Sequence, residues 1–351
     1  MKKITVHAGL HKTGTSSVQL FFRDNHIRYF QDGFFYPSFT SNHRNGVMFN
    51  HSMPLFNIFC DDPEKYHMNK RYGITSSDLL LEVSNYKAQL INHLNDKRCN
   101  RVLFSGEDLS ALSEGALRRL KLFFEENLGK QDILMECVIY VRHPLTWLTS
   151  EVQQSIKGGW SFSEAIAQKN RPAQPFYLNR LKNLKKVFGN NLVINKFEDA
   201  IRHSSGLVGH FLQHLDIPLL EDCKSEGYTQ NASISMEAAE IISHVNSLEP
   251  FFQNGRVSSH RKQGDIWPLF TVRGTRFGLS RQANEEFWSD SRSGRQVLLN
   301  DFGIDYKYID TTDPELLWND ESVGDLKASL DKLNPTVRAL AESYIDAHCL
   351  K

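Results

Sequence analysis

Nothing in the 351 residues approaches the ~20 consecutive apolar residues that span a bilayer, so no transmembrane segment is expected. There is no net charge either: 41 Lys and Arg balance 41 Asp and Glu. No global field draws the chain to nucleic acid or to an anionic membrane, and any anion must be held by a local cluster. Cysteine is sparse. The five (60, 99, 137, 223 and 349) are scattered, odd in number and without a Cys-x-x-Cys pair. That argues against a disulfide framework or a zinc site and for a reducing compartment. No internal repeat, low-complexity tract or Pro/Gly/Ser linker divides the sequence, so a single domain over 1–351 is expected. The opening Met1–His7 breaks into Gly9-Leu10-His11-Lys12 without the apolar core of a signal peptide, and a cytoplasmic location is expected.

What is present is an ordinary globular composition, 40% hydrophobic and 23% charged, which excludes a disordered or fibrous chain. A β-branched run at 3–8 reads as a strand, and short apolar runs at 102–104, 138–141 and 192–194 read as strands of the buried type. Between them lie helical patterns at 15–29, 77–94, 113–127, from Pro144 onward, 175–188 and 203–215. Uniformly apolar strands alternating with helices predict an α/β fold, a central and mostly parallel sheet flanked by helices in three layers. From about 230 to 351 the pattern is mainly helical, with helices expected at 234–247, 280–301 and 323–348. Residues 31–76 read as a long irregular stretch rich in aromatics, His, Asn and Gly, of the kind that serves as a substrate or lid loop.

The first strand runs into Gly9-Leu10-His11-Lys12-Thr13-Gly14-Thr15-Ser16-Ser17 and then a helix. Strand, glycine loop and helix together make a phosphate cradle. Glycine lets the backbone approach the anion, and the N–H groups of the helix start point at it. Lys12 adds a full charge, and Thr15, Ser16 and Ser17 add hydroxyls. In the nucleoside-triphosphate loop the lysine follows the second glycine directly, with a magnesium-binding Ser/Thr next. Here it stands two positions before Gly14, which suits an anion held without metal. The second motif is Arg142, at the end of the strand 137–141. His143-Pro144 and a helix follow, with Ser150 eight positions after the arginine. A guanidinium at the carboxyl end of a parallel strand faces the crevice where α/β sheets bind ligands, and its fork suits a phosphate dianion.

Lys12-Thr13-Gly14-Thr15-Ser16-Ser17 resembles the first signature of the sulfotransferases that use 3′-phosphoadenosine 5′-phosphosulfate (PAPS), and His7-x-Gly9-x-x-Lys12 is closest to their carbohydrate and bacterial branch. Arg142 and Ser150 match the second signature. The resemblance implies a P-loop-type fold and a PAPS-dependent sulfotransferase. The cradle would hold the 5′-phosphosulfate, Lys12 would stabilise the leaving group, and Arg142 and Ser150 would grip the 3′-phosphate. Phe197-Glu198-Asp199 resembles the family's strand-end Tyr-Glu-Asp. Arg261-Lys262, in a stretch partly similar to the carboxyl-terminal loop of cytosolic members, would add 3′-phosphate contacts.

Transfer to a hydroxyl, or to an amine, needs a base within hydrogen-bond reach. Glu107, in Ser105-Gly106-Glu107-Asp108 at the end of the strand 102–104, is the first candidate. His51 in the aromatic loop is the second, and His11 beside Lys12 a third. Asp108 is free to complement the helix start, which leaves Glu107 for chemistry. The aromatics of 34–72, unless they form a satellite core, suit the apolar faces of sugar rings. Between Arg256 and Arg281 six Lys/Arg face one acid, Asp265, an excess that suits the cofactor's phosphate or an anionic polysaccharide. A carbohydrate or polysaccharide is the expected acceptor. Two other readings stand beside this one: a P-loop kinase or nucleotidase, and a non-catalytic nucleotide- or glycan-binding protein of the same fold.

Overall fold

Lys2–Ala8 (β1) is the centre of a five-stranded parallel sheet in the computed structural model, which describes residues 1–43, 46–129, 132–169, 176–220, 228, 233–253 and 256–348. Cys223 and Cys349 lie outside the described residues. Contacts group the chain into two units, Met1–Arg142 with Tyr177–Gln230, and His143–Phe176 with Asn231–Lys351.

The first unit holds the sheet. After β1 come Phe34–Phe35 (β2), Phe39–Thr40 (β3), Val47–Met48 (β4), Arg101–Gly106 (β5), Ile133–Val141 (β6) and Leu192–Lys196 (β7). The order across the sheet is β2-β5-β1-β6-β7, and β3 and β4 form a separate antiparallel pair. Ile4, Val6 and Ala8 of β1, Val102–Phe104 of β5 and Cys137–Val141 of β6 are all buried, because helices flank the sheet. Thr15–Gln31 packs with Gly206–His214, while Glu114–Leu128 and Leu178–Phe188 pack on each other and on β6. Thr15–Gln31 buries Val18, Phe21, Phe22 and Tyr29, one apolar stripe at helical spacing, against Phe34, Tyr36, Leu103 and Phe211. The chain visits β5 on one side of β1 and then β6 on the other. The strand order therefore reverses at β1, and the crevice at its carboxyl end is where such sheets place ligands.

Residues 31–76 are not irregular. They contain β2 to β4, the helix Ser52–Phe59 and the short helix His67–Arg71. Ser52–Phe59 buries Met53, Pro54, Leu55, Asn57 and Phe59, so it has no polar face to create a period. The two-residue strands exist only through their partners. Phe34, Tyr36, Phe39, Phe59 and Tyr66 are buried, which makes them core and not an open platform for sugars.

The second unit is mainly helical, as its sequence implies. Two expected helices are broken: Arg281–Asp290 and Arg292–Phe302 meet at Ser291, and Asp320–Leu330 is separated from Pro335–His348. Proline at the first position starts a helix and cannot continue one. Glu237, fully buried on Met236–Leu248, accepts the N–H groups of Thr275 and Leu317, each at 2.8 Å, and so ties two irregular segments to that helix. Among the described residues no helix is long and apolar enough to cross a membrane.

Candidate active site

The turn after β1 is built from residues that tolerate or are forced into left-handed backbone. Lys12 has φ 63° and Gly14 φ 76°. Glycine adopts this conformation freely, whereas for lysine it is strained. The Lys12 carbonyl is held by Arg142, whose Nη1 donates to it at 2.8 Å, and the Thr13 hydroxyl closes the turn by donating to Leu10 O at 2.8 Å. A Cβ on Gly9 would stand 2.1 Å from Thr15 Oγ1, and one on Gly14 2.1 Å from Leu207 Cδ2. At Gly9 a side chain would collide with Thr15 up to its Cβ, and at Gly14 the end of Leu207 would have to swing aside. The Thr15 hydroxyl is buried without a hydrogen-bond partner, and the N–H groups of Thr15 and Ser16 belong to the first helical turn, which has no intrahelical acceptors. A glycine cradle, an orphaned hydroxyl and unsatisfied donors beside a lysine fit a phosphate-like anion. Gly14→Ala is expected to cost more than the ~1–2 kcal/mol of left-handed strain, because Leu207 must also move. A denaturation midpoint equal to that of the parent would show that the turn does not need this glycine.

Two further strand ends reach the same turn. Arg142, at the end of β6, also lies over the Phe197 ring at 5.0 Å, and Phe197 follows β7. The aromatic of Phe197-Glu198-Asp199 thus braces the guanidinium. Glu107 follows β5. Its Oε1 is 3.2 Å from His11 Nδ1, so the loop that carries Lys12 also grips the carboxylate. Burial pushes the Glu107 carboxyl above its ordinary pKa. The charge of His11 pulls it back, Asp108 adds to the rise, and Lys12 and Arg180 oppose it. Glu107 begins a short 3₁₀ turn without capping it through its side chain. Asp108 accepts the Tyr66 hydroxyl at 2.5 Å instead of a helix-end N–H.

His51 is no base here. It is fully buried, its Nδ1 accepts the Ser105 N–H at 2.8 Å, and its Nε2 donates to Pro37 O at 2.6 Å. Burial lowers its pKa to about 3. With both nitrogens engaged it is a neutral strut between loop and strand. Arg261 is no phosphate ligand. Its side chain is fully buried, forked onto Asp265 with Nε to Oδ2 at 2.7 Å, and its Nη1 donates to Asn246 Oδ1 and Glu249 O. Lys262 is exposed, and Ser150 is half-buried on the helix Pro144–Lys157 of the second unit. The basic excess of 256–281 is also reduced in three dimensions. Besides Arg261, Arg273 pairs with Glu321 and Asp325, and Arg281 with Glu285.

Three residues beside Glu107 escaped the sequence reading. Tyr177 has φ 46°, and its ring stacks on His11 with centroids 6.4 Å apart. The Arg180 guanidinium lies 4.7 Å over the same ring and donates to Ser110 Oγ at 3.1 Å. Ser110 in turn donates to Glu107 O. No motif announces them, and Tyr177 and Arg180 are some 70 residues downstream of Glu107.

No protein-family model and no curated protein matches the sequence. Solved structures with a similar course of chain include sulfotransferases and a retinol dehydratase. One is a sulfotransferase from Alicyclobacillus acidocaldarius, 13% identical, covering 87% of this chain and 98% of its own, with a TM-score of 0.45. Another is the sulfotransferase domain of the curacin biosynthetic pathway, at 13% identity, 66% and 78% coverage, and a TM-score of 0.33. A third is retinol dehydratase in complex with androsterone and the inactive cofactor PAP, at 12% identity, 88% and 84% coverage, and a TM-score of 0.33. These likenesses carry no weight for the chemistry of the site, which rests on the residues themselves.

Proposed function

We propose that the chain is a PAPS-dependent sulfotransferase acting on a hydroxyl, with a carbohydrate as the acceptor. The observation that supports this most directly is the convergence of three strand ends on one turn: Arg142 bonds the carbonyl of Lys12, and His11 of the same turn pairs with Glu107. When bound, the donor supplies a sulfuryl group on a phosphate leaving group of low basicity. The donors of Gly14 to Ser17 hold the phosphosulfate end, and the ammonium of Lys12 neutralises charge that develops on the departing oxygen. Arg142 takes the 3′-phosphate. Glu107 orients the acceptor hydroxyl and takes its proton at a carboxylate oxygen, while His11 holds the carboxylate in place.

The test is calorimetry with adenosine 3′,5′-bisphosphate, paired with transfer from PAPS to a panel of glycosides. Binding of the bisphosphate and transfer without added metal are expected. Lys12→Ala should reduce transfer by ~10²-fold or more, the usual loss for a group that stabilises developing charge. No heat with the bisphosphate or with PAPS would sink the reading, and magnesium-dependent ATP turnover would replace it with a kinase.

A further inference from the structure

Glu107, His11, Tyr177, Arg180 and Ser110 form a closed circuit. His11 pairs with Glu107, Tyr177 stacks on His11, Arg180 covers Tyr177, Arg180 bonds Ser110, and Ser110 bonds the Glu107 carbonyl. Within it Arg180 is half-buried. Among the described residues no carboxylate lies within 4 Å of it, although its charge acts on Glu107. By contrast Arg118, Arg119, Arg261, Arg273, Arg281 and Arg338 each hold one. One of its five donors goes to the neutral Ser110 hydroxyl. Beneath it is an aromatic face at a residue held in left-handed backbone, a conformation that is uncommon for tyrosine and that the surroundings must enforce.

We propose that Tyr177 and Arg180 form the acceptor subsite, and that the acceptor is a ring bearing an anionic substituent, a carboxylate or a sulfate ester, near the hydroxyl presented to Glu107. The anion completes the guanidinium, and the ring lies against the part of Tyr177 that His11 and Arg180 leave exposed. This deepens the sulfotransferase reading and rests on it for the meaning of Glu107. An uncharged ring leaves Arg180 half-buried without a carboxylate in ion-pair contact, so the site favours the anionic ring. A glycan reading based on the basic stretch 256–281 has lost much of its charge to ion pairs, whereas this arginine stands beside the candidate base.

The probes are 4-nitrophenyl β-D-glucuronide and 4-nitrophenyl β-D-glucoside, which differ by one carboxylate. Binding is read by saturation-transfer NMR and calorimetry on the full chain without nucleotide, and separately by kcat/KM with PAPS. The glucuronide is expected to bind at least ~10-fold more tightly, as a charge-assisted hydrogen bond implies. Arg180→Gln should erase that preference, so that the two glycosides bind alike, and Arg180→Lys should keep part of it. Circular dichroism of both variants checks that they fold, and Tyr177→Leu, which leaves the charge in place, should weaken both glycosides. Equal binding of the two glycosides, no binding of either, or a preference that survives Arg180→Gln overturns the subsite. Failure of the sulfotransferase reading shows itself differently, as absent bisphosphate binding while the glycoside preference persists.

Discussion

Glu107→Gln is expected to lower kcat/KM by ~10²-fold or more, the usual loss for a general base, with bisphosphate affinity within a few-fold of the parent. Glutamine keeps the shape and can still accept from His11, so the variant removes the proton acceptor and little else. The pH dependence follows from the same carboxyl. Only its ionised form accepts a proton, so activity rises with pH through its pKa. Burial places that pKa above the ordinary carboxylate value. The charge of His11 opposes the rise, so His11→Ala should move the acid limb of the profile to higher pH. A merely structural histidine would lower stability and leave the limb where it is. Near-parent turnover in Glu107→Gln would remove the residue from the base role.

Arg261→Met separates the phosphate role expected from the sequence from the buried clamp of the folded chain. If Arg261 gripped the nucleotide, its loss would weaken bisphosphate binding and leave stability alone. The buried geometry implies the reverse. Removing the guanidinium leaves Asp265, 3% exposed at its side chain, without its ion-pair partner, and strips donors from Asn246 Oδ1 and Glu249 O. Breaking one partner out of a buried pair costs about 3–5 kcal/mol. We expect a loss of that size in urea denaturation, read on the transition of the helical unit, and parent-like bisphosphate affinity in the folded protein. The double variant Arg261→Met with Asp265→Leu should recover much of the loss, because the orphaned charge is gone. A stable Arg261→Met protein with weakened nucleotide binding would reinstate the phosphate role.

The local chemistry of the chain was legible in its residues. A β-branched run marked β1 and apolar runs marked β5, β6 and β7; β7, at the sheet edge, is only half-buried and not the covered strand its run implied. Gly9 and Gly14 marked the tight turn after β1, since close approach and left-handed backbone leave few residue choices. Arg142 and Glu107 were recognisable because strand ends in a parallel sheet open on the same crevice. What had no local signature was decided by tertiary contact. The fate of a polar side chain depends on its partners, and those come from distant sequence. His51 is a strut because Ser105 and Pro37 take both its nitrogens. Arg261 is a buried clamp because Asn246 and Glu249 turn toward it. Tyr177 and Arg180 stand beside Glu107 because β7's neighbouring helix packs on β6. Periodicity records burial against water, which each residue carries in its own chemistry; pairing between remote polar groups is a property of the folded chain alone.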